Sequence, residues 1–166
     1  MADTPPKILQ APTTPLWYHA TIYAVLGLAL GLGVAFFLVS KDTLAADGVT
    51  EVFRAARGPL LQYRAEKGAW PEDFDLAKAP APVAAFGFSS AVGPLLEKNT
   101  VPGAWRFTTA GPAGKGKPSL VFTPVEPGDS ARRVLTAVDA RLDDGKAAAG
   151  KFRFDDQAGA FTLKDE

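Results

Sequence analysis

From Leu16 to Ser40 the chain carries no Asp, Glu, Lys or Arg. A helix of roughly 20 apolar residues spans the ~30 Å hydrocarbon core of a bilayer. This run is long enough to cross with some tilt. After it the apolar positions fall at spacings of three and four: Leu44, Val49, Val52, Phe53, Ala56, Leu60 and Leu61, with Tyr63 close by. That period predicts an amphipathic helix continuing directly from the apolar one. Glu51, Arg54, Arg57, Arg64 and Glu66 occupy the opposite face. Pro59 removes a backbone donor and is expected to bend the helix near Ala55, and Gly68 suits its end.

Further along, the period changes from helical to alternating. Ala104–Thr109 alternates with Trp105 and Phe107 on one face, and Ser119–Pro124 is a second apolar strand. Lys151–Asp155 and Ala160–Lys164 alternate around the turn sequence Asp156-Gln-Ala-Gly159, which predicts a hairpin. Between the two pairs, Asp129–Leu142 carries a helical stripe of Val134, Leu135, Val138 and Leu142, with Asp129 or Ser130 available as a cap. Helices and antiparallel strands in separate blocks define an α+β class. The expected core places Phe53 of the helix and Trp70 of the turn beyond it against Trp105, Phe107, Phe152 and Phe154 of the sheet. Two stretches, Ala77–Ala85 and Gly111–Pro118, lack apolar bulk and read as loops.

A secretory signal peptide competes with the membrane anchor for the N-terminal run. Signal peptides have a basic leading region, an apolar core of roughly 7–15 residues and a small-x-small cleavage site. Here Lys7 is offset by Asp3, the apolar run is longer, and Ser40-Lys-Asp-Thr-Leu-Ala-Ala46 is a poor cleavage site. An anchor is therefore expected, giving a tail at 1–15, a transmembrane helix at 16–40 and a domain at 41–166. The prolines of the tail predict an extended or disordered segment unless a partner holds it. Trp17, Tyr18 and Tyr23 suit one headgroup boundary, and Lys41 can snorkel at the other. The charge flanking the run is too small to set an orientation. Gly27, Gly31 and Ala35 recur every four residues along one face, a pattern that admits a close partner helix.

Composition removes several functional classes. The chain has no Cys, so disulfide and thiol chemistry are absent. Lys+Arg and Asp+Glu balance at 18 each, which provides no basic field for nucleic acid. The single His, His19, lies in the apolar run, so no Ser-His-Asp arrangement or His-based metal site can form in the domain. His19 reads as an interfacial residue in preference to a haem or pigment ligand. Gly111–Lys117 lacks the spacing and following helix of a phosphate loop. Asp143, Asp144, Asp155 and Asp156 supply oxygens of the type that hard cations take. They lack an Asp-x-Asp-x-Asp-Gly ladder, however, and Asp-Asp-Gly is also a preferred helix end and turn. No cofactor is expected.

Two segments carry a resemblance. Tyr63-Arg-Ala-Glu-Lys-Gly-Ala-Trp-Pro-Glu-Asp-Phe74 resembles the junction at which the long helix of type IV pilins and pseudopilins ends. Val138-Asp-Ala-Arg-Leu-Asp-Asp-Gly-Lys-Ala-Ala-Ala-Gly-Lys-Phe-Arg153 resembles a pilin-like segment in which a short helix leads into a late strand. The order of elements over residues 16–166 fits the same family. The resemblance implies a non-enzymatic structural or assembly subunit of a pilus or type II secretion-like apparatus. It also implies a bacterial cytoplasmic membrane location, the N-terminus inside and the domain periplasmic, with other membrane subunits and the lipid bilayer as partners. The chain departs from the family at the start of the apolar run. No Gly precedes Leu16-Trp-Tyr-His-Ala-Thr-Ile-Tyr23, and no Glu stands at its fifth position. An uncleaved anchor beginning at Met1 or Ala2 is therefore expected. That departure keeps a second expectation open, an accessory subunit of a large respiratory or photosynthetic membrane complex. A membrane-tethered enzyme ranks last.

Overall fold

The computed structural model describes residues 15–111 and 116–163. The tail before Pro15 and residues 112–115 of the Gly111–Pro118 segment lie outside the described residues. Helix α1 runs from Leu16 to Lys67 and continues through Pro59. It ends at Gly68, whose φ of 70° is a left-handed conformation that glycine adopts without a Cβ penalty. By contact density the chain divides between Val39 and Ser40 into two units.

The first unit consists of the apolar part of α1. Every residue from Trp17 to Phe37 is exposed. By length and composition this is a candidate membrane span.

The second unit is α+β. The remaining elements are β1 (Phe74–Asp75), a 3-10 turn (Leu76–Lys78), α2 (Ala81–Ala84), α3 (Phe88–Lys98), β2 (Gly103–Thr108), β3 (Ser119–Pro124), α4 (Asp129–Leu142), β4 (Phe152–Phe154) and β5 (Gly159–Thr162). The strands form one antiparallel sheet in the order β1-β2-β3-β5-β4. Its register builds a row of apolar side chains across the strands: Phe74 opposite Phe107, Phe107 opposite Leu120, Leu120 opposite Phe161, and Phe161 opposite Phe152. Trp105 opposite Phe122 begins the adjacent row. Period-2 geometry puts these residues on one face.

The stripe Ala45, Ala46, Val49, Val52, Phe53, Ala56 and Leu60 of α1 is buried in the same core. Phe53 is its centre. Its ring lies 5.1 Å from Trp105, 5.5 Å from Phe152 and 6.1 Å from Phe161, in edge-on or tilted arrangements favoured by ring quadrupoles. Trp70 packs partly buried beside Phe107 at 6.1 Å. Phe107 and Phe152 are fully buried, while Phe154 is half-buried at the sheet edge.

Four expectations need correction. Neither Asp129 nor Ser130 caps α4, whose N-cap is Gly128 with no side-chain hydrogen bond. Leu44 is exposed, because it lies about 100° around the helix from Ala45 and so off the buried stripe. The segment Ala77–Ala85 is not a plain loop. Leu76 anchors the 3-10 turn, which Asp75 caps by accepting from the Ala77 N–H at 2.9 Å, and Val83 anchors α2. Helix α3 occupies residues assigned no element from the sequence, although Phe88, Val92, Leu95 and Leu96 have helical spacing.

Candidate functional site

Helix α4 has an apolar face formed by Ala131, Val134, Leu135 and Val138. Two ion pairs fasten the helix to the Ser40–Lys67 part of α1. Arg133 meets Asp42 at 2.7 Å and Arg141 meets Asp47 at 2.7 Å. Arg54 adds a hydrogen bond to the Arg141 carbonyl at 3.0 Å. Val138 is fully buried, and the next residue, Asp139, is fully buried as well.

Asp139 is the unusual group of the domain. Among the described residues, neither of its carboxylate oxygens has a hydrogen-bond partner. Burial pushes its pKa up to about 6, and the charges of Asp144 and Asp143 add to the shift. A buried carboxylate without a partner is costly, since ionised groups lose hydration that nothing replaces.

The loop after α4 is built around the two other carboxylates. Asp143 caps the helix through its own N–H, which donates to the Asp139 carbonyl at 2.7 Å. Its Oδ2 accepts from the Phe152 N–H at 3.1 Å and from the Lys151 N–H. Gly150 has φ 71°, and a Cβ there would collide with the Asp143 carboxylate, so only glycine permits this closure. Asp144 Oδ1 accepts from the Lys146 N–H at 3.0 Å, an Asx turn. Asp139, Asp143 and Asp144 each bring one carboxylate oxygen to within 4.8 Å of the others.

The acidic residues weighed from the sequence are thus divided. Asp143 and Asp144 converge with Asp139, whereas Asp155 and Asp156 belong to the β4–β5 turn. Asp155 Oδ1 accepts from the Gln157 and Ala158 N–H groups, both at 2.8 Å, and Asp156 faces Arg132 at 3.4 Å. The apolar stripe Val134, Leu135, Val138 and Leu142 does not by itself single out Asp139. A signal did exist: Ala131, Leu135 and Asp139 follow one another at intervals of four, placing the acid on the buried face.

The other sequence candidates lie in the first unit. Gly27, Gly31 and Ala35 are exposed, and open space surrounds a Cβ added at either glycine. Tyr18 stacks edge-on between Trp17 at 6.3 Å and His19 at 5.9 Å. No family model, curated protein or solved structure matches this chain.

Proposed function

We propose that this protein is a non-enzymatic, single-pass membrane subunit whose pilin-like domain works by protein contact outside a bacterial cytoplasmic membrane. The observation that carries this reading is the division of labour within α1. Its residues 17–37 are apolar and exposed, and its later part supplies Phe53 and the buried stripe around which a small antiparallel sheet is organised. An exposed apolar helix of this length requires lipid or protein cover. The Tyr63–Phe74 and Val138–Arg153 segments favour a pilus or type II secretion-like assembly. The shortage of catalytic side chains in the domain supports a structural role.

A second reading rests on one observation. The apolar run lacks both the preceding Gly and the fifth-position Glu of processed filament subunits. This favours an uncleaved accessory subunit of another large membrane complex, with Gly27, Gly31 and Ala35 receiving a partner helix.

Purification of the full chain in mild detergent, followed by sizing and identification of co-purifying chains, tests both readings. Pilus or secretion components support the first, and respiratory or photosynthetic subunits support the second. A monodisperse lone monomer opposes both. Intact mass is expected to show no cleavage between Pro15 and Ala46. A mature chain beginning between Pro15 and Ala46 would remove the anchor.

A further inference from the structure

We propose that Asp139, Asp143 and Asp144 form a binding site for a hard divalent cation of the Ca²⁺ type, which ties the end of α4 to the loop leading into β4. This site is independent of whichever membrane assembly the protein serves. It rests on two observations of different kinds. One is convergence: three carboxylate oxygens lie within 4.8 Å of one another. Oxygens bound to one Ca²⁺ at roughly 2.3–2.6 Å must lie within about 5 Å of each other, so the spacing suits a shared ion. The other is Asp139 itself. It is fully buried, neither oxygen accepts a hydrogen bond among the described residues, and one of them lies within that triad.

Three alternatives for a buried acid are an ion pair, a set of backbone donors and a proton. The first two are used elsewhere in the same region. Arg141 is engaged by Asp47, and the Lys151 and Phe152 N–H groups serve Asp143. The charges bearing on Asp139 are negative. Its place near the C-terminus of α4 adds the negative end of the helix dipole and the terminal carbonyls. The neighbouring carboxylates and the helix terminus therefore favour a cation. The ligands would be hard oxygens only, as no Cys exists and the sole His is in the first unit. That donor set selects Ca²⁺ or a similar ion over Zn²⁺ or Cu²⁺. The lone proton remains as the rival explanation, and it makes the opposite forecast for added metal.

The test uses the full chain in mild detergent, stripped with EDTA at pH 7.5. Melting is followed by tryptophan fluorescence with and without CaCl₂ at matched ionic strength, and binding by titration calorimetry. The wild type is expected to bind one Ca²⁺ and to melt about 5 °C higher at ten times Kd. Asp139→Asn and Asp144→Asn are each expected to lose most of that rise. In EDTA, Asp139→Asn should melt no lower than wild type, because a buried amide is cheaper than a buried carboxylate. Asp144→Asn keeps the assay decisive if the Asp139 variant misfolds, because Asp144 is exposed and its Asx turn survives in Asn. Two results would overturn the site: no binding and no thermal shift up to millimolar Ca²⁺, or an undiminished shift in both variants.

Discussion

Phe53 shows how one side chain can hold a small domain. It touches rings from β2, β4 and β5, so its loss opens a cavity that no single neighbour can fill. Phe53→Ala is expected to cost about 3–5 kcal/mol in thermal or denaturant unfolding of the full chain, whereas Glu51→Ala, on the exposed face, should change little. Asp73 braces the chain just after Trp70. Its Oδ1 accepts from the Thr109 N–H at 2.7 Å and from the Thr109 hydroxyl at 2.9 Å, tying the turn after Trp70 to the end of β2. The Thr109 backbone bond, then bonds from Thr108 and Thr109 side chains, hold its pKa below the usual carboxylate value. The sign follows from linkage. A carboxyl with a depressed folded-state pKa stabilises above its unfolded pKa of about 3.9 and loses that contribution as pH falls further. Asp73→Ala should therefore melt slightly below wild type at pH 7, by about 1 kcal/mol or less at this exposed site. In melting curves the gap should narrow as pH falls below about 4 and close below the depressed folded-state pKa.

Among elements, the long helices and alternating strands were legible because each repeats its period several times. Helix α4 and strand β3 occupy the ranges that their patterns define, Asp129–Leu142 and Ser119–Pro124. Strand β1 was not legible, since two residues cannot display a period. Helix α2 has the same difficulty, with Val83 its one buried side chain. The acidic triad was half legible. Asp143 and Asp144 stood out as an Asp-Asp-Gly turn, but Asp139 joins them only through helix rotation and burial. Glycines separate two kinds of backbone. Gly58 lies in α1 with open space around a Cβ, so Gly58→Ala should raise stability by about 0.5–1 kcal/mol through helix propensity. Gly150→Ala should lower it, because the left-handed backbone and the Asp143 carboxylate both reject a side chain. Denaturant midpoints of the two variants are expected to move in opposite directions.

For the whole molecule, the two-unit division makes a solubility prediction. A chain beginning at Ser40 retains the Phe53 core and both α4 ion pairs, so it should stay in the supernatant after ultracentrifugation and melt cooperatively. The full chain should sediment with membranes. A fragment from Ser40 that is unfolded or insoluble would show that the apolar unit is needed for the domain to fold. The strand order has a consequence for how the protein is made. β5 follows β4 in the chain yet lies inside the sheet, paired to β3 on one side and β4 on the other. In chain order β3 is made about 40 residues before β5. The growing domain must therefore wait, with β3 exposing an unpaired edge, until Gly159–Thr162 arrive. Stopping synthesis after Gln157 would not trim the fold. It would leave β4 with no strand to join and the β3 edge open to pairing with another chain.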